Sequence, residues 1–124
     1  MPAILIIEDD EKSRRLLVDV LGFHGYEILQ AESAEEGLRL LASSEVALVM
    51  MDIQLPGISG FDALKAIRAD EASCKSKVVA VTASVMDQDR KKILAAGFDA
   101  YVSKPVNIRE LLATLTDLLA KAGP

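Results

Sequence analysis

Four apolar runs of the chain end in side chains that could do chemistry together. Glu8 and Asp9 follow the first run, Asp52 the second, Thr82 the third, and Lys104 lies just after the fourth. If the carboxylates met, each pair about 4 Å apart would cost roughly 4 kcal/mol at an effective dielectric constant near 20. A raised pKa or a bound divalent cation would relieve that repulsion, and an all-oxygen site suits Mg²⁺.

The lysine and the threonine point to a phosphate. A lysine is a flexible point charge that suits phosphate oxygens, and a hydroxyl can donate a further hydrogen bond. A carboxylate nucleophile with nearby cations is what formation of an aspartyl phosphate requires. Each signal alone is common, since acids after strands are usually solvated caps and Lys-Pro is usually a turn. Their occurrence on successive strand ends is what favours the phosphate hypothesis.

The elements that must position these groups alternate between strand and helix. Strands are predicted over residues 3–7, 26–30, 46–51, 78–81 and 100–102, each followed by a helical pattern. The first, third and fourth are wholly apolar, as central parallel strands are, and the other two are predicted to be edges. Right-handed crossovers then favour an α/β fold with a five-stranded parallel sheet, order 2-1-3-4-5, and five helices on both faces. In this flavodoxin-like order the switch point falls between strands one and three.

Helix boundaries follow from capping residues. Asp10 is predicted to cap the first helix, and Ser33 with Glu36 to form a capping box for the second. The apolar face of the first helix is predicted to comprise Leu16, Leu17, Val20 and Leu21. Arg14 and Arg15 of the same helix are candidates for docking an acidic kinase surface.

Composition narrows the class of protein. The net charge of −5 argues against binding to a nucleic acid backbone. The lone Cys74 cannot form an internal disulfide, which favours a reduced, cytoplasmic setting. No apolar run approaches membrane-spanning length, so membrane insertion is not expected. Residues 1–124 are predicted to form one domain with no output domain.

The motifs also resemble a known family. The segments IIEDD (6–10), MDIQLPGISG (51–60), VTAS (81–84) and AYVSKP (100–105) closely resemble the receiver domain of bacterial two-component response regulators. The resemblance covers essentially the whole chain and is greatest for stand-alone receivers of the DivK type. It implies that Asp52 accepts a phosphoryl group from a phosphohistidine. It also implies that Asp9 binds Mg²⁺ directly, that Glu8 helps through water, and that the backbone carbonyl of Gln54 is a further ligand.

The resemblance assigns the remaining site residues. Thr82 follows the phosphate, Tyr101 changes rotamer with it and Lys104 pairs with it, while the bond from Lys104 to Pro105 is expected to be cis. Glu8 departs from the many members that carry Asp, and its longer side chain could alter metal affinity. The implied protein is a stand-alone response regulator that signals through altered protein–protein binding. Beyond its own phosphorylation and slow dephosphorylation it is not expected to be an enzyme.

The resemblance also implies binding partners, and the sequence leaves other functions to be weighed against it. A sensor histidine kinase or histidine phosphotransferase is the implied donor, and a downstream regulatory protein the implied target. An Asp-nucleophile phosphatase of the haloacid-dehalogenase type needs an acid where Gln54 stands. A nucleotide-binding protein is discounted because this sequence contains neither G-x-G-x-x-G nor the phosphate-loop lysine motif. A receiver-fold adaptor that works without phosphorylation remains an alternative.

Overall fold

The computed structural model describes residues 3–53, 57–70, 75–83 and 87–121, in which five strands and five helices alternate. The strands are β1 (Ala3–Ile7), β2 (Glu27–Ala31), β3 (Leu48–Asp52), β4 (Lys77–Thr82) and β5 (Ala100–Ser103). The helices are α1 (Glu11–Phe23), α2 (Ala34–Ser43), α3 (Gly60–Ala69), α4 (Asp87–Ala96) and α5 (Ile108–Lys121). All paired strands are parallel and their order is β2-β1-β3-β4-β5, which confirms the predicted topology.

Both faces of the sheet are buried, which explains why the central strands are apolar throughout. Along β1, Leu5 belongs to one hydrophobic cluster and the adjacent Ile4 to the other. Leu17 of α1 and Leu111 of α5 pack on the face that includes Ile4, and Ile67 of α3 packs on the opposite face. Alternate side chains of a strand point to opposite faces, so helices on both sides are needed to cover them. This arrangement leaves the carboxyl ends of the strands free to carry polar groups.

Two predicted caps hold in the structure, one of them in altered form. Asp10 accepts a hydrogen bond from the backbone N–H of Ser13 at 2.9 Å, and this bond lowers the pKa of the Asp10 carboxyl. Ser33 Oγ accepts from the N–H of Glu36 at 3.2 Å. The return bond of a capping box is different here, because the Glu36 carboxylate accepts from the N–H of Glu32 at 3.4 Å. The side chain therefore fixes the approach to α2 one residue earlier than predicted.

Strand ends differ from the prediction by one or two residues. β3 begins at Leu48, not at residue 46, and includes Asp52 as its last residue. Asp52 pairs with Val81 in the β3–β4 ladder, and the N–H of Ile53 donates to the Val81 carbonyl at 3.1 Å. β4 likewise continues to Thr82. A polar side chain does not end a strand whose backbone still has a hydrogen-bonding partner, so Asp52 and Thr82 are the last residues of their strands.

The predicted apolar face of α1 is wrong at one residue, Leu16. Leu16 is 53% exposed, whereas Arg14 is buried. Leu17 and Leu21 define the inward stripe, and Arg14 lies three residues before Leu17 on that stripe. Leu16 falls beside the stripe and faces the solvent. Among the described residues no helix has the length and apolar character to cross a membrane.

Candidate functional site

Three carboxylates meet at the carboxyl ends of β1 and β3. Glu8 follows β1 and is 2% exposed, Asp52 ends β3 and is 6% exposed, and Asp9 is exposed at the rim. One carboxylate oxygen from each lies within 4.8 Å of the others. β1 and β3 are adjacent and their connections leave in opposite directions across the sheet, so this is the topological switch point. The structure thus brings together the three acids that the sequence places on separate strand ends.

Lys104 pairs with two of these acids. Its Nζ donates to Asp52 Oδ2 at 2.7 Å and lies 3.3 Å and 3.4 Å from the two carboxylate oxygens of Glu8. The backbone N–H of Lys104 donates to the carbonyl of Thr82 at 2.8 Å, which fixes the start of the loop after β5. The peptide bond from Lys104 to Pro105 is cis. The ammonium group is therefore within hydrogen-bonding or ion-pair distance of both buried acids.

The pKa values of Glu8 and Lys104 are shifted by burial and by the neighbouring charges of the cluster. The pKa of Glu8 is raised from its ordinary 4.5 to about 7, chiefly by burial and then by the hydrogen bond and charge of Asp52, against a smaller lowering by Lys104. Burial lowers the pKa of Lys104, but hydrogen bonds and charges from Asp52 and Glu8 outweigh that effect and raise the pKa above its ordinary value. Without a metal ion, the site therefore carries its negative charge only with the help of a lysine cation and a partly protonated glutamate.

The donor set suits a hard divalent cation such as Mg²⁺. All three acids offer oxygen, which Mg²⁺ prefers, and Asp9 and the open rim leave room for water ligands. Two oxygens bound to one Mg²⁺ at about 2.1 Å can be at most about 4.2 Å apart. The oxygens of the three acids, all within 4.8 Å of one another, are therefore close to the spacing that one such ion requires. Gln54, the predicted carbonyl ligand, lies outside the described residues.

The two remaining predicted switch residues, Thr82 and Tyr101, differ in burial and in distance along their strands. Thr82 is buried at the end of β4 and pairs with Ser103 of β5. Tyr101 is half-buried on β5, packs against the hydrophobic cluster under α3 and α4, and has the Arg90 guanidinium 5.4 Å from its ring centroid. Thr82 thus adjoins the strand end that carries Asp52, and Tyr101 adjoins the surface formed by α4 and β5.

An apolar groove of about 430 Å³ opens beside Lys104. Leu16 of α1 forms one side, and Pro105 and Val106 of the loop after β5 form the other. Leu16, whose exposure the helical pattern did not predict, therefore contributes to the wall of this groove. A ligand approaching the acids from this side meets an apolar surface before it reaches the lysine.

Arg14 lies in the region of the site and is buried, although it was predicted to lie on the exposed face of α1. Its guanidinium donates to the Glu8 carbonyl at 2.9 Å, to Gln30 Oε1 at 3.3 Å and to Glu32 Oε1 at 3.2 Å. The predicted role in docking a kinase is therefore wrong for Arg14, whose side chain is 10% exposed and hydrogen-bonded internally. Its spacing of three and seven residues from Leu17 and Leu21 is the signal that could have identified it as inward-facing.

Comparisons with known proteins agree with this geometry. The sequence model of the response regulator receiver domain matches residues 4–116. The polar-differentiation response regulator DivK of Brucella ovis is 35% identical over 120 residues, which make up 97% of this chain and 98% of that protein. A CheY-like response regulator receiver domain protein of Methanospirillum hungatei has a similar structure, with 33% identity, a TM-score of 0.88 and coverage of 98% of this chain and 96% of that one.

A further solved structure bears on the acids. The receiver domain of the sensor histidine kinase PA1611 of Pseudomonas aeruginosa is 27% identical, with a TM-score of 0.88 and coverage of 96% of this chain and 98% of that chain. That crystal structure has a magnesium ion coordinated in the active-site cleft. With the family model matching most of the chain and a curated relative matching nearly all of it, the chain belongs to the response regulator receiver domain family of two-component signalling.

Proposed function

We propose that this chain is a stand-alone response regulator whose Asp52 accepts a phosphoryl group from a phosphohistidine. The observation that carries the proposal is the position of the Asp52 carboxylate. It is buried at a strand end, lies 2.7 Å from the Lys104 ammonium and shares its surroundings with two further acids. A carboxylate in a structural ion pair needs no second and third acid beside it. A carboxylate that receives a phosphoryl group needs cations, and the acids can recruit one.

The chain's own residues account for the transfer. An Asp52 oxygen attacks phosphorus, the new O–P bond forms, and the P–N bond of the donor breaks with its electron pair left on the imidazole. Glu8, Asp9, Asp52 and the carbonyl of Gln54 would hold Mg²⁺, which supplies positive charge to the phosphoryl oxygens. The Lys104 ammonium, which is 2.7 Å from Asp52, supplies the second cation. The donor is a sensor histidine kinase or a histidine phosphotransferase, and the apolar groove beside Lys104 gives such a protein a surface to contact.

Phosphorylation would then act as a switch. The added phosphoryl group carries about two negative charges near neutral pH. Thr82, at the adjacent strand end, donates its hydroxyl to the phosphate, and Tyr101 moves inward and reshapes the surface of α4 and β5. Such a switch shifts an existing two-state equilibrium. The output is altered binding to a downstream regulatory protein in the cytoplasm, with no turnover beyond phosphorylation and slow dephosphorylation of the chain itself.

Intact-protein mass spectrometry tests the phosphorylation. We expect incubation with Mg²⁺ and a small acyl phosphate to add one acid-stable, base-labile phosphoryl group, and a chelator to prevent the addition. Asp52→Asn should abolish it. Asp62→Asn, which changes an exposed aspartate in the first turn of α3, should not. No addition to the wild type, or an undiminished addition to Asp52→Asn, would overturn the proposal and favour a phosphorylation-independent adaptor.

A second variant tests the switch separately. Tyr101→Ala should leave the addition of the phosphoryl group intact, because the ring is not part of the acid cluster. It should weaken the phosphorylation-dependent binding of a partner, which a pull-down with phosphorylated and unphosphorylated protein measures. If Tyr101→Ala binds the same partner with unchanged dependence on phosphorylation, the aromatic step is wrong while the phosphorylation stands.

A further inference from the structure

Arg14 bridges three segments around the acids. It lies on α1, yet its guanidinium contacts the end of β1 through the Glu8 carbonyl, β2 through Gln30 and the loop after β2 through Glu32. The side chain of Arg14 is 10% exposed, and that of Glu32 is 70% exposed. A buried arginine is costly unless its donors are satisfied, and here three acceptors from three directions satisfy it. The side chain therefore has one well-defined position.

The contact with the Glu8 carbonyl matters most for the acids. That carbonyl belongs to the peptide unit joining Glu8 to Asp9, so its direction sets the orientation of both residues. On the other side of the Glu8 Cα, the N–H of Glu8 donates to the carbonyl of Ala31 at 3.0 Å. The peptide units before and after Glu8 are thus both anchored, one by β2 and the other by the Arg14 Nη1 at 2.9 Å. Loss of Arg14 would remove the hydrogen bond that anchors the second unit at its carbonyl, and the hydrogen bond from the Asp10 N–H to Glu8 Oε1 would remain.

We propose that Arg14 is a positioning residue for the divalent-cation site. It would act through the backbone by fixing the peptide plane between two acids that approach the cation from adjacent positions. Mg²⁺ demands near-ideal octahedral geometry, so a rotation of this plane separates oxygens that must act together. The inference rests on the proposed function, since it supposes that the acid cluster binds Mg²⁺. It adds a role for a residue that contacts neither the cation nor the phosphoryl group.

A merely structural role for Arg14 makes a different prediction. An arginine that only ties α1 to the sheet would lower the stability of the metal-free protein when replaced, with no change in the affinity of the folded protein for Mg²⁺. A positioning residue changes that affinity. The measurement is therefore the dissociation constant of Mg²⁺ by titration calorimetry, at a temperature where urea unfolding shows every variant to be fully folded.

The variants separate these cases. Residues that orient metal ligands typically cost about 10–100-fold in affinity when replaced, and we expect Arg14→Met to weaken Mg²⁺ binding by about tenfold. Arg15→Met removes the same charge from the exposed neighbour and should leave the affinity near that of the wild type. Arg14→Lys cannot bridge three acceptors, so it should also bind Mg²⁺ more weakly than the wild type. Because it keeps the charge, its loss of affinity should be smaller than that of Arg14→Met. Glu32→Gln, which alters the exposed acceptor, should lose least.

The outcomes distinguish a failure of the positioning role from a failure of the proposed function. A wild-type affinity in folded Arg14→Met overturns the inference, as does an equal loss in Arg15→Met. If Arg14→Met does not fold, Arg14→Lys decides in its place, and wild-type affinity there overturns the inference too. If the wild type itself binds no Mg²⁺, the cation site of the proposed function fails. If the wild type binds and the Arg14 variants bind equally well, only the positioning role fails.

Discussion

The raised pKa of Glu8 predicts an unusual dependence of stability on pH. Its pKa is raised from an ordinary value of 4.5 to about 7, chiefly by burial and then by Asp52. The folded protein therefore binds this proton more tightly than the unfolded chain does. The stabilisation is fully present below pH 4.5 and is lost as the pH rises through about 7. One pKa unit corresponds to about 1.4 kcal/mol, and screening at the open cleft reduces the sum, so we expect a loss of about 1–3 kcal/mol.

Urea unfolding of the metal-free protein at a series of pH values measures this loss. Glu8→Gln should flatten the dependence between pH 4.5 and 7, because the amide carries no proton to lose in that interval. Glu45→Gln changes an exposed glutamate and should leave the wild-type slope. The assignment of this dependence to Glu8 is refuted if Glu8→Gln and the wild type lose the same free energy of unfolding across the interval. It is also refuted if the wild type gains more stability there than Glu8→Gln does.

Three further substitutions test the packing of the helices and the charge of the site. Alanine at Gly60 would place its Cβ 2.9 Å from the Ile53 Cα, so Gly60→Ala should cost about 1–3 kcal/mol of unfolding free energy. Gly22→Ala meets open space on α1 and should instead stabilise by about 0.5–1 kcal/mol, and equal effects would contradict the contact. Lys104→Met removes the ammonium group from beside two buried carboxylates and should lower the unfolding free energy of the metal-free protein by about 1–3 kcal/mol, after allowance for the partial exposure of the lysine. Added Mg²⁺ should then stabilise Lys104→Met more than the wild type, and an equal gain in urea unfolding would contradict the ion-pair account.

The sheet and its acids could be predicted because topology alone places them. Parallel strands joined by helices fix the order, and the order brings the ends of β1 and β3 together, so Glu8 and Asp52 meet whatever the loops do. The pairing of Lys104 with both acids follows from the same edge of the sheet, although its distances do not. Those distances depend on the loop after β5, whose path is set by bonds such as that from Lys104 N–H to the Thr82 carbonyl.

The role of Arg14 could not be predicted from residue type. A charged residue on an amphipathic helix is assigned to the solvent face, and Leu16 is then assigned to the core in its place. The reverse holds because three acceptors from β1, β2 and the loop after β2 converge at Arg14. Gln30 and Glu32 are distant in sequence from the helix, so no local pattern reveals that a buried guanidinium would be satisfied there. Burial of a charge is decided by its partners, and partners are a property of the fold.

Chemical reduction of the phosphorylated protein tests most directly the proposal that Asp52 accepts the phosphoryl group as an acyl phosphate. Borohydride converts an aspartyl phosphate to homoserine, which tandem mass spectrometry of the digested protein locates by residue. After incubation with Mg²⁺ and an acyl phosphate, we predict homoserine at position 52 and unmodified aspartate at positions 9 and 62. Homoserine at another acid with Asp52 unmodified, or none at all in protein shown to bind Mg²⁺, would contradict the account.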